Sequence, residues 1–214
     1  MSTLQDRARK LLRRHHCGRV VASHADGVET RAEDVRFIVD GRTGRLVFPV
    51  TRVLLELGGH TLYVPDEAVP GDEDTLELVI EMKHEPPVPE ELRDRHLAYH
   101  GHQRGGVWVS AAIHSGRFSG ELFDGGELME PNRLVECEPR LCRVCNESAQ
   151  RLAEMCAARF GTDLTSATVV GVDGYGLDVR LSRGVHRLEF AEMVSTEEQA
   201  IAQIRATLFG RDES

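Results

Sequence analysis

The sharpest alternation of apolar and polar positions lies near the end of the chain. Cys145, Ala149, Leu152, Cys156 and Phe160 recur on one helical face, and Gly161 follows as a stop. Ala167, Val169 and Gly171 open a strand, Asp173-Gly174 turns it, and Leu177, Val179 and Leu181 alternate with Asp178, Arg180 and Ser182 in the period of a half-buried strand. Arg183-Gly184 marks the next turn and Val185 to Phe190 a third strand. Ser195-Thr196-Glu197-Glu198 has capping-box spacing for a last helix that turns Ile201, Ile204 and Leu208 inward. The expectation is an α-β-β-β-α domain over residues 136–214.

Upstream, Leu4, Ala8, Leu11, Leu12 and His15 repeat at helical spacing, with Gly18 as the stop, predicting a helix over residues 3 to 16. Arg19 to Ser23, Val35 to Asp40 and Arg45 to Val50 read as short antiparallel strands, separated by the turn-forming Ala25-Asp26-Gly27 and Gly41-Arg42-Thr43-Gly44. Thr61 to Val64 and Leu76 to Met82 are further strands across the acidic loop Pro65 to Asp74. Pro89-Glu90-Glu91 starts a helix that ends near Tyr99 and Gly101, and Val107 to His114 is β, with Phe118 to Phe123 extending or pairing with it. Gly125 to Pro139 reads as a linker. The class is α+β, a β-rich domain over residues 1–135 followed by the smaller domain.

Composition narrows the function. A net charge of −9 argues against a general electrostatic hold on nucleic acid, and no apolar run approaches the ~18 residues of a membrane helix. Met1 to Arg14 lacks the apolar core of a secretory signal, so the expected location is the cytoplasm, where five cysteines need no disulfide partners. With Lys10 and Lys83 the only lysines, Schiff-base chemistry is disfavoured.

Local motifs offer little chemistry. Cys137, Cys142 and Cys145 have a C-x4-C-x2-C spacing used by iron–sulfur proteins, but Cys156 lies roughly 16 Å further along a helix and cannot close a cluster. Small buried thiols are the simpler reading. His96 and His100 share a helix face at i, i+4, with His102 just beyond, but no nearby Glu completes a metalloprotease motif, and no metal is expected. His100 is the better ligand contact, at a helix C-terminus that favours a protonated imidazole. His15-His16-Cys17 reads as structural, and Asp173-Gly174 as a hairpin turn. No nucleophile elbow, dinucleotide fingerprint or P-loop is present, so no catalytic residue is assigned.

With the elements in order, the first helix, Gly18-Arg19-Val20-Val21-Ala22-Ser23, the Ala25-Asp26-Gly27 turn and Val35 to Val50 resemble the start of the pyridoxamine-phosphate-oxidase-like split barrel. The tail, from Asn146 through Val170-Gly171-Val172-Asp173 and Gly176-Leu177-Asp178-Val179 to Arg187-Leu188-Glu189-Phe190, resembles the C-terminal domain of haem-utilisation proteins of the HugZ type. The resemblance implies a homodimer with flavin mononucleotide (FMN) or haem at the barrel interface, and Arg36, Thr51, Arg52 and His100 as ligand contacts. Any oxidoreductase chemistry would reside in the cofactor. Three departures point to an alternative, a non-catalytic dimeric binding or regulatory protein that has lost the cofactor site. Glu33-Asp34 stand where a phosphate contact is expected, Val53 to Gly59 replace the His and Asn-Leu that commonly follow Thr51-Arg52, and Asn146-Glu147-Ser148 lacks the histidine of related tails.

Overall fold

The structure, a computed structural model, describes residues 3–23, 30–69, 71–102, 105–161 and 166–210. The expected Ala25-Asp26-Gly27 turn lies outside the described residues. The chain divides into two compact units, Met1–Pro131 and Asn132–Ser214.

The first unit is a split barrel. Helix α1 (Leu4–Arg14) is opened by a capping box in which Thr3 and Asp6 exchange hydrogen bonds, and it buries Ala8 and Leu12 in the barrel core. The strands are β1 (Cys17–Ser23), β2 (Thr30–Arg36), β3 (Ile38–Val39), β4 (Leu46–Val50), β5 (His60–Val64), β6 (Leu76–Lys83), β7 (Val107–Phe118) and β8 (Glu121–Asp124). Helix α2 (Arg52–Glu56) follows β4 and α3 (Glu90–His100) follows β6. The antiparallel order is β2-β1-β5-β6-β7-β4-β3, with β8 on β7 as a hairpin.

The two ends of that order, β2 and β3, are consecutive in the chain and separated only by Phe37. The continuous strand expected from Val35 to Asp40 is therefore broken at Phe37. Its first part pairs with β1 and its second with β4, which closes the sheet on itself. Phe37, Phe48, Leu62, Leu78 and Ile113 fill the interior.

Gly18 does not end the first helix. It lies in β1, where a Cβ would sit 2.6 Å from the Tyr63 carbonyl oxygen on β5, so glycine is required by close strand approach rather than by a helix cap.

In the second unit, α4 (Glu138–Glu147) and α5 (Ala149–Phe160) replace the single helix expected through Cys145 and Cys156, the break falling at Ser148. Gly161, at φ 65°, ends α5 in the left-handed region. Then come β9 (Thr168–Asp173), β10 (Gly176–Leu181), β11 (Gly184–Glu189) and α6 (Glu197–Phe209), with sheet order β11-β10-β9. The capping box of α6 joins Thr196 to Gln199, one residue later than expected, because the Gln199 amide oxygen also accepts from the Ser195 and Thr196 N–H groups.

Candidate functional site

The bend at Phe37 takes backbone groups out of regular pairing, and buried polar groups need partners. The Phe37 N–H donates to the His16 carbonyl at 2.9 Å. Two side chains of α3 serve the carbonyls: His96 Nε2 lies 2.7 Å from the Arg36 oxygen and His100 Nε2 lies 3.0 Å from the Phe37 oxygen. A carbonyl only accepts, so both Nε2 atoms carry hydrogen and any remaining lone pair of a neutral ring is on Nδ1. The i, i+4 spacing sets the rings side by side, 4.6 Å between centroids. Trp108 stands edge-on to His96 at 5.0 Å, and Tyr99 edge-on to buried His16 at 5.1 Å. Arg95 covers the Tyr99 ring and donates to its hydroxyl.

Burial dominates the electrostatics here. It lowers the His96 pKa and is the main reason that of His100 is down to about 3, the Phe37 hydrogen bond opposing it and neighbouring His96, His16 and Arg36 adding smaller downward contributions. The protonated imidazole expected from the helix C-terminus is therefore overturned. Desolvation outweighs the dipole, and both rings are neutral near pH 7.

A second cluster forms where β4 runs into α2. Thr51 is the N-cap, its hydroxyl oxygen accepting from the Leu54 N–H at 3.4 Å. Its own hydroxyl donates to Glu33 at 2.8 Å, and its backbone N–H reaches both oxygens of the same carboxylate at 3.2 and 3.3 Å. A side chain of β2 thus supplies the anion at this turn.

The four residues expected to contact a ligand fall into two pairs. Arg36 and His100 lie near each other at the bend, where the Arg36 charge acts on the His100 ring, while Thr51 binds Glu33 at the start of α2 and Arg52 is the first residue of that helix. Glu33 and Arg36 have opposite parity on β2, whose register with β1 is unbroken, so their side chains leave from opposite faces. Arg36 and Arg52 are exposed. The spacing of His96 suggests only a metal ligand, whereas the carbonyl contact that defines its role joins residues 60 positions apart.

Among the described residues no group of three or more His, Cys, Asp or Glu side chains is arranged to hold a metal ion. None of the five cysteines is in a disulfide. Burial pushes the Cys145 thiol up to about 12 and Cys156 to about 11, and burial beside Asp66 raises Cys17 to about 11.

The second unit carries polar contacts of a structural kind. The Asn146 amide clips both backbone groups of Val169, accepting from N–H at 2.8 Å and donating to the carbonyl at 3.0 Å, which ties α4 to β9. Glu138 accepts from the Val172 N–H, and Asn132 donates to the Val172 carbonyl. Asp178, on the polar side of β10, is buried and directly opposite Arg187 in the β10–β11 register. Arg187 donates to Asp178 at 2.7 Å and also to Asp173, whose carboxylate accepts from the Tyr175 and Gly176 N–H groups of the turn. Burial alone would lower the Arg187 pKa, but the two carboxylates more than offset it and raise it.

Against solved structures, the chain is similar to the crystal structure of the protein Atu2129 (unknown function) from Agrobacterium tumefaciens str. C58. The TM-score is 0.69 over 95% of this chain and 97% of that one, at 16% identity. The two share a fold. A haem-binding protein from Mycobacterium smegmatis matches over 97% of this chain and 98% of its own, with a TM-score of 0.43 and 18% identity, too low a similarity to carry an argument. No family model matches the chain, and no curated protein matches its sequence.

Proposed function

We propose that this chain is a split-barrel binding protein that keeps the scaffold of the flavin-binding barrels without their phosphate site, a non-catalytic cytoplasmic homodimer rather than a flavin oxidoreductase. The observation that carries the reading is the Glu33 carboxylate on Thr51. In the barrels that the first unit resembles, the flavin phosphate is met by a polar residue of the second strand and by Thr/Ser and Lys/Arg residues after the third. Here Thr51 directs its amide and hydroxyl at Glu33, and an incoming phosphate would face that carboxylate. Two like charges at 4 Å repel by on the order of 4 kcal/mol at an effective dielectric of 20, and Arg36, leaving the other face of β2, is poorly placed to offset this.

The test is direct: the purified protein should lack a flavin band, and titration with FMN should leave the flavin fluorescence unquenched. Saturable quenching would overturn the proposal. Light scattering on the eluting protein tests the homodimer, and a monomeric mass would remove that clause.

A second reading, a tetrapyrrole-binding protein of the haem-utilisation class, is favoured by the pair of neutral imidazoles on α3 beside Trp108, since neutral imidazole is the form that ligates iron. Both Nε2 atoms are engaged by the bend, so His100 would ligate iron through Nδ1, or through Nε2 only after releasing the Phe37 carbonyl. Haemin titration decides. A Soret shift lost in His100→Ala supports the reading, and an unchanged free-haemin spectrum removes it.

A further inference from the structure

The second unit contains a groove unrelated to the barrel. Helices α5 and α6 flank the end of β11, and each turns an i, i+3, i+4 face toward the gap, Met155, Ala158 and Arg159 from one, Gln203, Ala206 and Thr207 from the other. Buried Leu188 is part of the lining. At Ala158 and Ala206 the side chains stop at Cβ, and the space left is about 590 Å³, within the range of about 300–1,000 Å³ typical of small-molecule sites.

The polar groups of the lining are few. Arg159 brings a guanidinium that, among the described residues, makes no ion pair, and the Gln203 amide likewise has no hydrogen-bond partner there. Glu189 adds a carboxylate to the same lining. A cation, an amide and a hydroxyl on one lining, together with apolar surface, match one anionic head on a short hydrocarbon body. A second anionic group on the ligand would meet Glu189.

We propose that this groove binds a small monoanionic amphiphile, its carboxylate on Arg159 with Gln203 and Thr207 as further donors, and its apolar body against Leu188 between Ala158 and Ala206. The proposal is independent of the reading of the barrel.

The experiment is a titration of the isotope-labelled full chain with sodium octanoate, followed by amide chemical shifts. Saturable shifts at Ala158, Arg159, Leu188 and Ala206 are expected at or below millimolar concentration. Removing two methylenes, as in hexanoate, should weaken binding about fifteenfold, because each buried CH₂ contributes a factor of about four. Octylamine should produce no shifts at these amides. Arg159→Gln, an exposed position, should weaken octanoate about fivefold, as expected for losing a solvent-screened ion pair. Ala206→Phe should fill the groove and abolish binding. Absence of saturable shifts, equal binding of octylamine, or unchanged affinity in Arg159→Gln would each overturn the proposal, and the Arg159 variant decides even where Ala206→Phe fails to fold.

Discussion

Acidification should loosen the barrel at its bend well before its carboxylates protonate. His100 is a base whose folded pKa, about 3, lies below the 6.5 of the free side chain, mainly because burial penalises the cation. Its contribution to stability is therefore complete above pH 6.5 and is lost as pH falls from 6.5 toward 3. Between pH 7 and pH 5 the loss amounts to about 2 kcal/mol, since the unfolded state takes up a proton that the folded state refuses. Urea unfolding followed by fluorescence of Trp108, the sole tryptophan, reads this in the first unit and should show a midpoint lower by roughly 1 M at pH 5. His15 and His96 are shifted the same way, so the decisive quantity is a difference between proteins. His100→Gln keeps an N–H near the Nε2 position and cannot titrate. Its stability should fall by about 2 kcal/mol less over the same interval. Equal pH dependence in the two proteins would refute the argument.

Three further outcomes follow from the packing. Thr51→Val removes the N-cap of α2 and leaves Glu33 without its hydroxyl donor, and should cost about 1–2 kcal/mol in urea unfolding; Glu33→Ala should cost about 1 kcal/mol, and a double-mutant cycle should show them strongly coupled. Arg187→Met leaves two buried carboxylates facing each other and should destabilise the second unit by about 3–5 kcal/mol, read by calorimetry, with partial recovery when Asp178→Asn is added. In the native protein Cys145 and Cys156 should resist a thiol reagent at pH 8 and react only on addition of denaturant, whereas fast modification of either would contradict their raised pKa values.

Much of the architecture is legible in local pattern because local physics decides it. The alternation at Leu177, Val179 and Leu181 is a strand, and the αL position after Phe160 calls for Gly161. What escaped are features fixed by register or by distant contacts. Asp178 looks solvent-facing until Arg187 is seen opposite it on the next strand. The bend at Phe37 is invisible because Val35 to Asp40 reads as one strand, and only pairing with β1 on one side and β4 on the other reveals two. The charge of Glu33 is evident in the sequence, but its hydrogen bonds to Thr51, 18 residues away, require the barrel to form first. Gly18 reads as a helix end, but a neighbouring carbonyl more than forty residues downstream is what requires glycine there.

The bend at Phe37 also bears on how long the folded state lasts. The β1–β2 and β3–β4 ladders join consecutive strands, but the contacts of His96 with the Arg36 carbonyl and of His100 with the Phe37 carbonyl span 60 and 63 residues. Closing the longer loops costs more entropy, so the hairpins should form before α3 docks. Substitutions at these histidines are then expected to accelerate unfolding while leaving the refolding rate nearly unchanged, with φ-values near zero, and stopped-flow kinetics showing slowed refolding instead would contradict this order. In that role the two imidazoles act as a latch on the lifetime of the barrel, governing its exposure to proteases in conditions where cleavage outpaces reclosing.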